Sequence, residues 1–250
     1  VNDGKILSMI SLPDFDINKR ENIQDINYIN RATKGVYELG SVFKTFTFAA
    51  GLNEGEIEPD TQFVDLEKKI TCAGRPIGEY DDKIPSDLTA EQILIRSGNI
   101  GSVRIGQKVG IEKLKLFLEN IGVLNKIEFD IEEVGKPIPF KWGKCKLATA
   151  SFGHGITTTP LQLAKGYSII TNGGYDIKPT LIKGEINKKE ERKRLLEEGV
   201  SEKINPVLRK IVSTKEGTAE FANVFGYDVG GKTGTAQKSI NGVYSSNKVN

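Results

Sequence analysis

The stretch from Gly40 to Leu52 is the part of the sequence that most restricts the fold. Its apolar side chains recur on nearly every side of a helix, so a helix formed here must be buried all round. Gly40 supplies a flexible start, and Asn53 and Gly55 supply a stop signal. The sequence therefore predicts that the chain packs around one central helix.

Two polar residues stand at the start of this apolar stretch. Ser41 and Lys44 are three positions apart, which places them on one helix face with about 5–6 Å between their Cβ atoms. Burial favours a neutral lysine, and a neutral lysine can take a proton from serine. The helix dipole favours the negative charge that then develops. Taken alone, however, the pair favours a simpler interpretation, a helix-capping serine beside an unrelated lysine.

Two later stretches favour the chemical interpretation. Ser97–Asn99 has the sequence Ser-Gly-Asn, and Lys232–Thr235 has the sequence Lys-Thr-Gly-Thr. In this order the three patterns resemble the Ser-x-x-Lys, Ser-Asp-Asn and Lys-Thr-Gly signature of penicillin-binding proteins and class A β-lactamases. Each pattern is weak alone, but the ordered set is specific.

Composition excludes several classes of function. The chain has 250 residues, 38% of them hydrophobic, which allows a real core, and its net charge of +2 gives no argument for nucleic acid. The mixed-sign run 188–194 is typical of solvated surface. No apolar run approaches the ~20 residues that cross a membrane. The chain opens at a turn leading into a strand rather than at a signal peptide, so we expect a piece of a longer protein.

Cysteine and histidine are scarce. Cys72 and Cys145 are too few for a disulfide framework. One bridge is compatible with an extracytoplasmic protein, but the count favours two free buried thiols. The single histidine, His154, excludes metal sites built on several histidines. It lies in the glycine-rich loop 151–155, where lining a site and bonding to loop backbone are equally good interpretations.

Local patterns predict the positions of several helices. Capping boxes at Thr89–Gln92 and Thr159–Gln162 each open a helix. Ser97–Asn99 interrupts the first helical stretch, so we expect this triplet on a connection between helices, pointing into a cleft. Because of a nearby proline, the start of a later helix is ambiguous between Ser201 and Asn205.

Other patterns predict strands and loops. We predict strands at Lys5–Ile10 and Tyr227–Gln237, with small strands or irregular structure over 61–85. Residues 16–40 are polar and indicate a long loop, and Asn241–Gly242 is a turn signal.

A longer resemblance supports the three patterns. The chain resembles the transpeptidase domain of class B penicillin-binding proteins, and within that class most resembles the FtsI-type cell-division D,D-transpeptidases. The further stretches that carry the resemblance are Ser11–Asp16, Asn30–Ala32, Ser151–Ile156, Thr159–Ala164 and Gly230–Gln237.

The resemblance implies an α+β fold, the penicillin-binding transpeptidase and serine β-lactamase-like fold. A mainly antiparallel five-stranded sheet would be flanked by helices. Residues 1–250 would form one transpeptidase domain truncated at both ends, with its last strands missing and no second domain. The resemblance also implies a membrane anchor outside this chain, at the periplasmic face of the bacterial inner membrane.

The resemblance also implies a reaction, the cross-linking of peptidoglycan stem peptides through a serine acyl-enzyme during septal wall synthesis. β-Lactams would mimic the D-Ala-D-Ala substrate. The implied partners are stem peptides, β-lactams and divisome proteins including a glycan-polymerising membrane protein, with no nucleic acid, cofactor or metal.

Each motif residue receives a role from the resemblance. Ser41 would be the nucleophile and Lys44 its general base, Ser97 would relay protons, and Asn99 would hold Lys44 and the substrate amide. Lys232 would tune the site electrostatically. The remaining implied groups are the substrate-binding Thr233, Gly234 and Thr235, and the oxyanion-hole backbone amides of Ser41 and Thr235.

The sequence departs from the family pattern at two positions, and other functions could use the same motifs. Leu39 and Val42 stand where the family usually has proline and threonine, and neither change removes a reactive group. A serine β-lactamase, a D,D-carboxypeptidase or a β-lactam sensor could carry the same motifs. A class A β-lactamase needs a Glu-x-x-x-Asn stretch between Ser97 and Lys232, and the sequence has none.

Overall fold

The computed structural model describes residues 1–16, 18–19, 28–183, 192–240 and 243–249. The helices are α1 (Phe43–Asn53), α2 (Ala90–Ile95), α3 (Asn99–Val109), α4 (Ile111–Asn120), α5 (Lys144–Ser151), α6 (Pro160–Thr171) and α7 (Val200–Ser213), with 3₁₀ turns at Gly40–Val42 and Glu220–Ala222. The strands are β1 (Gln62–Phe63), β2 (Lys69–Cys72), β3 (Arg75–Gly78), β4 (Leu88–Thr89), β5 (Gln237–Ile240) and β6 (Val243–Val249).

Helix α1 is the centre of the molecule, as its sequence predicts. Every residue from Phe43 to Leu52 is buried, and the helix contacts α2, α3, α4, α5 and α7. Because it has no solvent face, its polar side chains must find partners inside the protein. Among the described residues, Lys44 is the only buried residue whose side chain can ionise to a full charge.

Local signals fixed the helix starts well. Thr89 and Thr159 both form the predicted capping boxes, with Gln92 and Gln162 respectively. The ambiguous later helix begins at Val200 and continues through Pro206. Ser201 lies inside α7, where its hydroxyl donates to the carbonyl of Ile170 at 2.8 Å.

The strands pair as three antiparallel two-stranded sheets, β1 with β4, β2 with β3 and β5 with β6. Helices with small antiparallel sheets are the expected α+β class. The five-stranded sheet implied by the resemblance does not form among the described residues. Short strands do occupy 61–85, as predicted.

Two strand predictions are wrong. In Lys5–Ile10 only Lys5 is paired, through an isolated parallel bridge to Thr180. In Tyr227–Gln237 regular pairing begins only at Gln237. Both segments have the composition of strands, but a strand also needs a neighbour to bond, and within the described residues neither segment has one along its length.

The prediction of two free thiols is also wrong. Cys72, at the end of β2, and Cys145, in the first turn of α5, form a disulfide with their Cα atoms 5.5 Å apart. That separation lies in the range a disulfide needs. The cysteine count could not reveal it, because the two residues are 73 positions apart in sequence. The bridge ties the β2–β3 hairpin to α5.

Some predictions fall outside the described residues. These are the Asn241–Gly242 turn, residues 17 and 20–27 of the long polar loop, and residues 188–191 of the charged run. Over the ranges that are described, no helix combines the length and apolar character that spanning a membrane would require.

Candidate active site

One cleft of about 630 Å³ brings the three sequence motifs together. The motif residues that line it are Ser41, Ser97, Asn99, Thr233 and Thr235. Its other walls come from segments that carry no motif, namely Gly40, Tyr80, Phe152, Gly153, His154, Thr218 and Ala236. Residues 41, 97 and 235 are far apart in sequence, so folding alone assembles the cleft.

Ser41 lies in the 3₁₀ turn that precedes α1, not in the first turn of the α-helix. The turn begins at Gly40, which has a φ of +60°. A Cβ atom on Gly40 would lie 2.2 Å from the carbonyl oxygen of Thr235. Glycine is therefore required here both for the backbone angle and for the close approach of the Thr235 segment. Together these contacts bring Ser41 and Thr235 to the same edge of the cleft.

Lys44 lies beneath the cleft and is 1% exposed. Its Nζ donates to the carbonyl of Ser97 and to Ser97 Oγ, the latter at 3.1 Å. Burial lowers the pKa of Lys44 well below its usual value, the positive charge of Lys232 lowers it further, and Glu79 opposes both. A lysine so placed favours its neutral form, which can accept a proton. Among the described residues its hydrogen bonds go to Ser97, not to Ser41.

Ser97 lies between two lysines. Its hydroxyl also accepts a hydrogen bond from Lys232 Nζ at 2.8 Å. Burial lowers the pKa of Lys232 to about 7. Since a hydroxyl oxygen has two lone pairs and one proton, Ser97 can accept from both amines and still donate toward the cleft. The arrangement is a continuous hydrogen-bonded path from Lys44 through Ser97 to Lys232.

Asn99 is the first residue of α3, on the predicted helix connection. Its side-chain amide donates to the carbonyl of Gly78 at 2.8 Å. The expected contact with Lys44 is therefore not the one its amide nitrogen makes. The backbone amides of Asn99 and Ile100 donate to the two carboxylate oxygens of Glu79, at 2.6 and 2.8 Å.

The Lys232–Thr235 segment lies along the start of α1. A Cβ atom on Gly234 would lie 2.7 Å from Val42 Cγ1 and 2.8 Å from the carbonyl oxygen of Leu39. Thr233 Oγ1 lies 2.7 Å from Thr218 Oγ1. Glycine at position 234 thus allows the segment to pack against the 3₁₀ turn that carries Ser41.

His154 lines the cleft from the glycine-rich loop. Burial lowers its pKa, and the nearby carboxylate of Glu38, 3.9 Å from Nδ1, opposes that effect. Glu38 also accepts a hydrogen bond from the backbone amide of Gly155 at 2.9 Å, so it anchors the loop. The ring of His154 stacks on Phe152, with 6.0 Å between centroids.

Sequence reasoning missed Glu79, Tyr80 and Thr218. None of them lies in a motif, and each reaches the site only through tertiary contacts. No local pattern could have indicated them. Tyr80 and Thr218 line the cleft, and Glu79 bonds to the first amides of α3. Ser97, in the cleft wall, is hydrogen-bonded to two amines of lowered pKa.

The fold and this cleft define a class. The model of the penicillin-binding protein transpeptidase domain family matches residues 1–249, and the chain belongs to that family. The expected α+β fold is confirmed by a solved structure, the transpeptidase domain of penicillin-binding protein 3 from Burkholderia pseudomallei. It is similar with a TM-score of 0.80 and 26% identity, over 88% of this chain and 66% of that one.

Among curated relatives, the chain is similar to a protein named probable peptidoglycan D,D-transpeptidase FtsI from Caulobacter vibrioides. The two are 34% identical over 240 residues, which are 95% of this chain and 40% of the relative. It is also similar to stage V sporulation protein D of Bacillus subtilis, at 33% identity over 260 residues, covering 98% of this chain and 40% of the relative. The chain therefore spans less than half the length of these two relatives.

Proposed function

We propose that this chain is the catalytic domain of a peptidoglycan D,D-transpeptidase that cross-links stem peptides during septal wall synthesis. The observation that carries the proposal is a cleft lined by both Ser41 and Ser97, in which Ser97 is hydrogen-bonded to Lys44 and to Lys232. Membership of the transpeptidase family and the names of the relatives support the same reaction.

In the first half-reaction, Ser41 Oγ attacks the carbonyl of the penultimate D-Ala of a stem peptide. Neutral Lys44 takes the hydroxyl proton, since its lowered pKa leaves a lone pair free. The peptide C–N bond then breaks. The terminal D-Ala leaves with a proton delivered along Ser97, and an ester to Ser41 remains. In this structure Lys44 Nζ donates to Ser97 rather than to Ser41. Catalytic hydrogen bonds are often long or poorly aligned before substrate binds and tighten in the complex, so we expect the contact between Lys44 and Ser41 to form there.

In the second half-reaction, an amine of another stem attacks the ester carbonyl. Its surplus proton returns through Ser97 and Lys44 to Ser41 Oγ, and a new peptide bond forms. The backbone amides of Ser41 and Thr235 are proposed to bind the oxyanion in both steps, a contribution that is typically about 10²–10³ in rate. The two residues line the same cleft, which is the geometric support for this role.

The remaining motif residues are proposed to hold the substrate. Thr233 and Thr235 present hydroxyls to the cleft, and Lys232 adds a cation that favours a substrate carboxylate. Asn99 has its amide nitrogen bonded to Gly78, which leaves its carbonyl oxygen as the group for a substrate amide.

We further propose a location at the periplasmic face of the inner membrane, with 1–250 as one domain of a longer anchored protein. The Cys72–Cys145 disulfide supports an oxidising compartment. Divisome proteins, including a glycan-polymerising membrane partner, are the proposed partners.

The test is mass spectrometry of the protein after exposure to a penicillin. We expect a stable adduct of one penicillin mass on Ser41, and none on the Ser41→Ala variant with an unchanged melting temperature. An adduct on Ser97, or one that survives the substitution, would contradict the assignment. Released penicilloate would instead indicate a β-lactamase. Stem peptides that lose D-Ala without cross-linking would indicate a carboxypeptidase, and a stable adduct with no turnover of stems would indicate a sensor.

A further inference from the structure

Ser97 adopts a backbone conformation that is unfavourable for a serine. Its φ is +58°, in the left-handed region that is unfavourable for a non-glycine residue. Its side chain must nevertheless stay between Lys44 and Lys232, because the proton path runs through it. Neighbouring groups therefore have to hold this turn in place.

The segment from Gly78 to Tyr80 makes contacts on both sides of that turn. On the far side, the carbonyl of Gly78 accepts from the Asn99 side chain at 2.8 Å. On the near side, the Tyr80 hydroxyl donates to the carbonyl of Arg96 at 2.9 Å. Between them, the Glu79 carboxylate accepts both of the first backbone amides of α3. One three-residue segment thus brackets the whole Ser97 turn.

Glu79 makes the central contact. Its two oxygens each accept one backbone N–H at the start of an eleven-residue helix, where free amides and the helix dipole both favour a carboxylate. Only a carboxylate of this reach can accept from both amides at once. An amide side chain would turn its NH₂ group toward one of the two donors.

We propose that Glu79 is a positioning residue for acylation, holding the Ser97 turn in the geometry in which Ser97 connects Lys44 with Lys232. This inference rests on the acylation of Ser41 proposed above. Glu79 is not among the residues that line the cleft, and it acts through the start of α3.

The hairpin that carries Glu79 is itself fixed. Glu79 directly follows β3, and β3 pairs with β2 along its whole length, from Arg75 to Gly78. The disulfide at Cys72 ties that hairpin to α5, which continues into the loop that forms another wall of the cleft. The β2–β3 pairing therefore presents the carboxylate from a regular element, as precise positioning requires, and the disulfide adds stability to the chain around it.

Glu79 also contributes charge. Three effects determine the pKa of Lys44: burial and the Lys232 cation lower it, and the Glu79 carboxylate raises it. The titratable groups near Glu79 on this side of the turn include Tyr80, Asp81 and Arg96. Removing the carboxylate charge should therefore lower the pKa of Lys44 further. A side chain that only stabilised the fold would not change the pH at which Lys44 loses its proton.

The experiment measures the second-order rate of penicillin acylation against pH in the protein and in three variants. Glu79→Gln should reduce the plateau rate by about 10²-fold, since a misplacement of about 1 Å costs that much. The acid limb of its pH profile, where the rate rises as Lys44 loses its proton, should move to lower pH. Glu79→Asp keeps the charge but shortens the reach, so the plateau should fall while the acid limb stays. Glu67→Gln is the matched control, because Glu67 also bonds to α3, through Arg104, but at the exposed face; it should behave as the unmodified protein.

A plateau within threefold of the unmodified protein in both Glu79 variants would overturn the proposal. So would a Glu79→Gln acid limb that does not move. If Glu79→Gln does not fold, as judged by its melting curve, the plateau of Glu79→Asp decides the question. Failure of the unmodified protein to be acylated would contradict the proposed function instead, so the two failures are distinguishable.

Discussion

Lys44 occupies a position that an apolar side chain would fill at lower cost. Its buried amine has no carboxylate in direct contact among the described residues, only the carbonyl and hydroxyl of Ser97. Because its pKa is lowered well below the usual value in the folded state, the protein loses stability as pH falls below the pKa of an unfolded lysine, about 10.4. Activity and stability therefore oppose each other at this residue.

Lys44→Met should separate the effect of Lys44 on activity from its effect on stability. Methionine fills a similar volume without a proton acceptor, so acylation by penicillin should fall by about 10²–10⁴-fold, the usual contribution of a general base. The melting temperature at pH 7 should rise, by about 2–4 °C for each kcal/mol gained. This gain should shrink as pH approaches 10. Acylation close to that of the unmodified protein would show that another group is the base.

Lys232 supplies a second pH prediction with a definite sign. Its charge lowers the pKa of Lys44, and its own pKa is lowered to about 7 by burial. Lys232→Met removes that charge, so the pKa of Lys44 should rise and the acid limb of acylation should move to higher pH. This is opposite to the shift expected for Glu79→Gln.

The measurement is the same pH profile, with Lys203→Met as the control. Lys203 lies on the exposed side of α7, paired with Glu58, and its loss should leave the profile unchanged. An acid limb that did not move in Lys232→Met would mean that Lys232 carries no charge when Lys44 loses its proton.

At the scale of elements, the segment 231–236 and the start of α1 fit each other closely. Gly234 faces Val42 and Leu39 at distances that a Cβ atom could not keep, whereas a Cβ on Gly231 would meet nothing within 4 Å. Gly234→Ala should therefore push the segment away from Ser41 and reduce acylation by about 10²-fold. Gly231→Ala, three residues earlier, should retain the normal rate. Equal rates in the two variants would show that the segment can move without cost.

The same elements explain which features the sequence could predict. The two capping boxes and the all-round burial of α1 were predicted correctly, because each depends on residues within one or two turns. The motif residues were identifiable because the family repeats them. Their meeting in one cleft followed from that resemblance, not from spacing.

Features that depend on distant partners could not be predicted. The segment 227–236 has the alternation of a strand, yet it lies against α1 and α7 without a ladder, bonding to Leu208 through the amide of Gly231. Glu79 stands in no motif, and its function depends on α3 being folded against it. Cys72 and Cys145 gave no sign of pairing because nothing local indicates that β2 ends beside α5.

At the scale of the whole molecule, the site is only as stable as the packing of segments from residue 40 to residue 236. The Cys72–Cys145 disulfide closes a loop of 73 residues that contains α2, α3 and α4, and so the Ser97 turn. Cross-linking a loop of this size restricts the unfolded chain and stabilises the fold by about 4 kcal/mol. The bridge therefore supports the part of the site that contains Tyr80, Ser97 and Asn99.

Replacing both cysteines by serine should lower the melting temperature by about 10 °C, given about 2–4 °C per kcal/mol for a chain of this size. A reducing agent should lower that of the unmodified protein similarly and leave the double variant unchanged, which is the control. At 25 °C the folded double variant should keep most of its acylation rate, because the β2–β3 ladder and the Glu79 contacts to α3 do not depend on the bridge. A double variant with an unchanged melting temperature but the slow acylation of Glu79→Gln would contradict this separation of stability from positioning. The bridge would then act on the position of the hairpin rather than on the stability of the whole chain.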